Sequence, residues 1–317
     1  MFSNIYLAMP LSLCLGFALT AFLLQYTAKY LPKDGGRAFA VEGQKSAGKP
    51  RGAGFIFILV FIAVAAFFAP MSFEHVLYLV LVFIAMMTGF LDDAAKTPWG
   101  EYLKGALDLV VAVATTIIFL SNNSTEIRLA LLESSFVMPR VVFAICSIIV
   151  IWTSINVTNC SDGVDGLSGT VGIISMLGFY GFIQMVGVGS LFAPMIPAFV
   201  SVLIAYLWFN ATPSKLMMGD AGSRAIGLFL AICALKCGDP FIFIPLCLVF
   251  ILDGGLGLLK VFLLRFLKIH ILKNVRTPLH DQVRKVWGWS NTQCVYRFSI
   301  IQIVVTLTVL YLIYATF

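Results

Sequence analysis

Residues 138–167 read MPRVVFAICSIIVIWTSINVTNCSDGVDGL, and the two halves of that stretch call for opposite surroundings. Residues 138–156 are apolar over nearly the length, about 20 residues, that a helix needs to cross a hydrocarbon layer. From Asn156 to Leu167 come amides, hydroxyls and two carboxylates, Asp162 and Asp165, with Gly163 and Gly166 able to adopt backbone conformations closed to other residues. Such a turn presents hard oxygen ligands and backbone N–H groups to a metal-bound phosphate. The D-G-x-D-G outline also resembles a calcium loop, but the glutamate that closes such a loop is missing and another apolar run follows at once.

The same alternation recurs along the chain. Of the 317 residues 60% are hydrophobic and 11% charged, where a soluble domain carries roughly 25% charged residues, so a water-soluble fold is excluded. The sequence predicts an all-α, polytopic membrane protein of one domain, 1–317, with about ten transmembrane helices over 4–26, 52–70, 76–91, 104–121, 138–156, 167–187, 191–209, 222–236, 240–267 and 298–316. The first run lacks a basic flank and a cleavage site, so it is expected to remain as an anchor. In the ninth, Asp253-Gly254-Gly255 interrupts the middle, and glycine pairs are sites of helix kinks, which predicts a bend there. The seven cysteines form no C-x-x-C pair and read as packing residues. The three histidines lack zinc-ligand spacing.

Lys and Arg gather on the cytoplasmic side of a membrane protein. Loops one and nine hold most of the 21 here, with Lys96, Lys104 and Lys215 in loops three and seven. The N- and C-termini are therefore expected outside and the odd-numbered loops in the cytoplasm. Asp92, Asp93, Asp162, Asp165, Asp220 and Asp281 fall on that same side. A belt of basic residues at lipid headgroups explains the cations without explaining the carboxylates. A basic surface with embedded acids suits an anionic substrate that brings a metal ion.

Three further segments carry chemistry. Phe90 to Lys96 ends a span with adjacent acids, Asp92 and Asp93, whose mutual repulsion needs water, a cation or a lysine to offset it; a plain span end is the bland alternative. Asn210 to Gly227 places Asp220 at a helix start, where an aspartate is ordinarily a cap. Gly43 to Gly54 is a basic, glycine-rich turn suited to a diphosphate, and Arg276 to Trp289 is basic and aromatic together.

In this order the segments G-F-x-D-D-x-x-K (Gly89–Lys96), N-x-x-N-x-x-D-G-x-D-G-L (Asn156–Leu167) and M-G-D-x-G-S (Met218–Ser223) resemble the polyprenyl-phosphate N-acetylhexosamine-1-phosphate transferase superfamily, and within it the phospho-N-acetylmuramoyl-pentapeptide transferase branch. The resemblance spans nearly the whole chain. It implies an active site on cytoplasmic loops, in a bacterial cell membrane, that moves phospho-MurNAc-pentapeptide from UDP-MurNAc-pentapeptide onto undecaprenyl phosphate, releasing UMP and forming the lipid-linked precursor of peptidoglycan. It also implies Mg²⁺, with Asp220 and Asn159 as its ligands. Asp92, Asp93 and Asp162 would orient the lipid phosphate, take its proton or stand behind the ligands, and His280 would lie near the sugar or diphosphate. Lys45, Lys49, Lys96 and Lys104 would hold phosphates; Asn156, Asn210, Asp165 and Met217 would hold the nucleotide sugar. The resemblance further implies membrane lipid as a partner and no nucleic acid, and a homodimer is common among such proteins.

The chain departs from the pattern at three places. His280-Asp281-Gln282 stands for three histidines, Met217 for a phenylalanine and Arg224 for a leucine. A transferase of UDP-N-acetylglucosamine is the alternative within the superfamily. An ion-coupled transporter is the alternative outside it, but it predicts acids near mid-membrane and an internal repeat, whereas the acids lie mainly at span ends.

Overall fold

Each of the ten apolar stretches becomes helical, because a backbone in an apolar setting must satisfy its own N–H and C=O groups. The computed structural model describes residues 5–36 and 46–316. The helices are α1 (Ile5–Thr27), α2 (Gly54–Phe68), α3 (Phe73–Ala94), α4 (Glu101–Asn122), α5 (Arg140–Cys160), α6 (Leu167–Val186), α7 (Met195–Asn210), α8 (Gly219–Lys236), the short α9 (Phe243–Leu246), α10 (Leu248–Phe250), α11 (Leu256–Phe262) and α12 (Leu279–Lys285), and finally α13 (Asn291–Thr316). Among the described residues six helices are long and apolar enough to cross a membrane, or seven if one bent pair counts as a span. α2 and α7 are apolar but shorter.

The centre of the bundle is α8. Every residue from Gly219 to Leu235 is buried, although the helix carries Asp220, Arg224 and Lys236, so its charges are met by protein rather than lipid. Small residues let its neighbours close in, the usual packing device where water cannot drive association. A Cβ on Gly89 of α3 would lie 2.3 Å from the Asp220 carbonyl, and one on Gly227 would lie 2.6 Å from the Ile155 Cα of α5. On α2, a Cβ at Gly54 would sit 2.1 Å from the Gly222 nitrogen.

Two features differ from the sequence expectation. The chain is not wholly helical: β1 (Glu126–Leu129) and β2 (Ser134–Val137) pair antiparallel, Glu126 opposite Val137. Ile127 is buried beneath them, and Arg128 N–H bonds the Gly238 carbonyl at 2.9 Å. The polar–apolar alternation Glu126-Ile127-Arg128-Leu129 is there to read, but four residues give little contrast beside spans of 20.

The ninth stretch does bend, but not at the glycine pair. Pro240–Leu246 and Leu248–Leu267 meet at 72° around Cys247, just after Pro245, whose ring cannot continue the helical hydrogen bonds. Gly254 and Gly255 instead sit in a π-helical turn, Ile251–Gly255. Gly254 is small for packing, since a Cβ there would come within 2.3 Å of the Val157 carbonyl on α5.

Candidate functional site

Asp92 and Asp93 end α3 and Asp220 begins α8, and because these helices run antiparallel the three carboxylates meet. One oxygen from each lies within 4.8 Å of the others. Asp220 is not the helix cap; it stands in the first turn of α8, behind Met218. Asp93 serves the helix end from outside, its Oδ2 accepting the Ala221 N–H at 3.3 Å, where the exposed donors of a helix N-terminus favour an anion. Asp92 Oδ1 accepts the Trp99 N–H at 2.7 Å and closes the turn to α4.

Two cations reach into the group. Lys104, in the first turn of α4, pairs with Asp92 and lies 3.2 Å from Asp220 Oδ2. Arg51 Nη2 lies 2.8 Å from Asp93 Oδ1 and 3.3 Å from Asp220 Oδ1. Burial opposes the charge on Arg51, but Asp93, Asp220, Asp34 and Asp162 outweigh it and raise its pKa. Burial likewise opposes the Asp220 charge, and Lys104, Arg224 and Arg51 outweigh it, lowering that carboxyl to about 2. It is therefore ionised at neutral pH. Asp93 departs the other way: burial raises its carboxyl to about 7 although Arg51 opposes the shift. Arg224 stands as a third cation 3.8 Å from Asp220 Oδ2, so acids and cations in the group are closely balanced.

Arg51 is held by main-chain pairing between loop one and loop seven. Within loop one the Asp34 N–H donates to the Lys49 carbonyl at 2.9 Å; across to loop seven, Met217 N–H donates to the Pro50 carbonyl at 2.9 Å and Ala53 N–H donates to the Met217 carbonyl at 3.0 Å. The sequence reading overlooked Arg51 as a site residue. Its signal was position: it is the last basic residue of the glycine-rich turn, three residues before α2 begins.

The remaining expected residues form a second group beside the first. Lys49 Nζ lies 2.9 Å from the Ser214 hydroxyl and 3.9 Å from Asp165 Oδ2. Asn210 accepts from the Gly166 N–H at 2.7 Å and donates to the Leu216 carbonyl at 2.8 Å, so its amide ties the 161–166 turn to loop seven. Asn159 donates to the Ser223 hydroxyl at 3.0 Å and stands close enough to Asp220 to help lower its pKa. Asp162 stands close enough to Arg51 to act on its charge. Asn156 faces α4, 3.4 Å from Asp108 Oδ2.

His280 is buried, its Nδ1 2.9 Å from Asp253 Oδ2 and its N–H 2.7 Å from Asp253 Oδ1. A Cβ on Gly163 would meet its Nε2 at 2.2 Å, so His280 is brought against the Asp162 turn and not into the three-carboxylate group. Asp253, inside an apolar run, was not foreseen as its partner. Met217 is half-buried and Lys96 is exposed, pairing with no carboxylate among the described residues. Lys45 lies outside the described residues.

Carboxylates from two helices, closing on one point with cations beside them, can hold a divalent cation and a phosphate next to it. Relatives carry that chemistry in their names. The pattern of glycosyl transferase family 4 matches residues 75–238. A phospho-N-acetylmuramoyl-pentapeptide-transferase of Treponema pallidum is 41% identical over 95% of this chain and 88% of its own length. The chain belongs to this family. Proteins of the same name from Bartonella quintana and Caldanaerobacter subterraneus are 29% and 25% identical, over 83% and 82% of the chain. The chain is thus a phosphoglycosyl transferase and an integral membrane protein, and the family resemblance drawn from its three motifs is borne out.

Proposed function

We propose that the chain transfers phospho-MurNAc-pentapeptide from UDP-MurNAc-pentapeptide to undecaprenyl phosphate, with Mg²⁺, at the cytoplasmic face of a bacterial membrane. The observation that carries this is the meeting of Asp92, Asp93 and Asp220 with Lys104 and Arg51, in a chain that matches a named transferase along 95% of its length. The donor set suits Mg²⁺, which takes oxygen ligands and is usually held by one or two carboxylates together with substrate phosphates. Asp93 Oδ1 supports the fit: it is buried and accepts no aligned hydrogen bond despite its closeness to Arg51.

In the reaction an oxygen of the lipid phosphate bonds to the sugar-side phosphorus of the diphosphate. The bond from that phosphorus to the bridging oxygen breaks, and UMP carries the electron pair away. Mg²⁺, when bound, supplies charge neutralisation between the two anionic substrates. Asp220 and Asp93 would hold it, with Asn159 fixing Asp220. Lys104 and Arg51 turn from the carboxylates to the phosphates, and a monoester ionised with a second pKa of about 6 needs no dedicated base. Lys49, Asp165 and loop seven form the wall for the nucleotide, and His280 orients the sugar from across the Asp162 turn.

Ten spans with outside termini agree with the ten helical stretches and with the basic residues of loops one and nine. Lateral entry of the lipid agrees with the bend at Cys247, beyond which Leu259, Phe262 and Phe266 are exposed. The test is UMP release by purified protein with undecaprenyl phosphate and a panel of UDP-sugars, with and without a chelator. Turnover is expected with the MurNAc-pentapeptide donor alone, stopped by chelation and restored by Mg²⁺. Equal use of UDP-N-acetylglucosamine would move the chain to the other branch.

A further inference from the structure

Arg224 stands one helical turn beyond Asp220 on α8, with its side chain 4% exposed. Its Nη1 lies 2.5 Å from Asp108 Oδ1 on α4. Its Nε–H, buried and without a hydrogen-bond partner, lies 3.8 Å from Asp220 Oδ2, just beyond bonding reach. Asp108 and Lys104 sit one turn apart on α4, so a single helix face puts a cation on Asp220 and an anion on Arg224. A buried ion pair is weak as a source of stability: well-packed apolar residues in its place often serve as well or better. A pair kept at this depth, with one donor left over and turned toward Asp220, has another use.

The geometry points to Arg224, braced by Asp108, as a positioning residue that fixes the Asp220 carboxylate. Lys104 is shared between Asp92 and Asp220. When it turns to a substrate phosphate, Asp220 Oδ2 loses that partner and the Arg224 Nε–H is the donor beside it. The planar guanidinium suits the task, because one edge holds Asp108 while Nε–H remains for Asp220; a lysine ammonium is a point charge without that fork. The inference rests on the proposed function in taking Asp220 as a cation ligand.

The experiment reads Mn²⁺ binding to purified, substrate-free protein from the loss of the free-ion resonance, together with the melting midpoint. The variant Asp108→Asn with Arg224→Leu removes both charges, so the net charge near Asp220 is kept. It is expected to melt close to the parent and to bind Mn²⁺ about tenfold more weakly, the lower end of what a partner of a metal ligand contributes. Arg224→Lys, which keeps the charge, is expected to weaken binding as well. Parental Mn²⁺ affinity in the double variant would mean that the pair is only structural and would overturn the inference; if that variant does not fold, parental affinity in Arg224→Lys does the same. A parent protein that binds no Mn²⁺, or Asp220→Asn that binds it fully, would overturn the proposed function and this inference with it.

Discussion

Helices α3 and α8 pair charge at both ends, and the two ends are finished differently. At the start of α3, Glu74 receives Lys236 at 3.0 Å on both oxygens, and Oε1 also accepts from Tyr78 and Asn123, each at 2.7 Å. Lys236 in turn donates to Asn123 Oδ1 at 2.8 Å. One acid meets one base and every partner is bonded. At the other end Asp92, Asp93 and Asp220 face Lys104, Arg51 and Arg224. Arg51 Nε and Arg224 Nε are buried there without a hydrogen-bond partner among the described residues, and Asp93 Oδ1 meets Arg51 as an ion pair out of line for a hydrogen bond. Buried polar groups are nearly always satisfied, and those that are not ask for an ion or a catalytic use. The closed end holds the helices together; the open end is kept short of partners for something that arrives.

The sharpest way to break this contrast is to remove one charge from each end. Asp220→Asn is expected to lower UMP release per folded molecule by at least about a hundredfold, the scale of losing one charge-stabilising group, and also to lower the melting point, since Lys104, Arg224 and Arg51 lose the carboxylate they hold ionised. Lys236→Met leaves Glu74 buried without its cation, which costs about 3 kcal/mol, while the turnover of the folded fraction stays near that of the parent. Activity and unfolding measured on both proteins decide it; the reverse pattern would exchange the roles of the two ends.

A smaller effect is expected from the spacing of the helices. Gly89→Ala drives a methyl onto the Asp220 carbonyl, backbone that cannot swing aside as a side chain would. The shift parts Asp92 and Asp93 from Asp220, so both Mn²⁺ affinity and kcat should fall severalfold. Gly105→Ala, where the nearest atom is a Trp152 ring carbon at 3.7 Å, is the control and should change neither.

How much of this was legible in the sequence follows from the range of each interaction. Asp92, Asp93 and Asp220 were visible because each lies in a short local motif at the end of an apolar run. Arg51 and the Asp108–Arg224 pair were not, because their partners are more than a hundred residues away in some cases and a lone acid within α4 looks like an interruption. The bend in the ninth stretch was misplaced for a similar reason. Gly254 has two uses, kinking a helix or letting another helix approach, and only the neighbouring α5 shows which applies. The hairpin of β1 and β2 was missed because its pattern is brief and its anchor, the Gly238 carbonyl, is distant.

The least effect is expected at Lys96, which separates two kinds of lysine at the open end. Lys104 is held between Asp92 and Asp220, so its removal alters the carboxylates themselves. Lys96 is exposed and pairs with no carboxylate among the described residues; it is expected to act through the field it lends to an approaching anion. Such a field is screened over about 10 Å at 0.1 M salt and over about 3 Å at 1 M. Lys96→Ala should therefore leave melting unchanged and raise KM for the UDP-sugar severalfold at low salt, with the difference fading as salt is added and kcat unaltered. A loss in kcat that persists at high salt would place Lys96 in direct contact with a reacting phosphate, alongside Lys104 and Arg51.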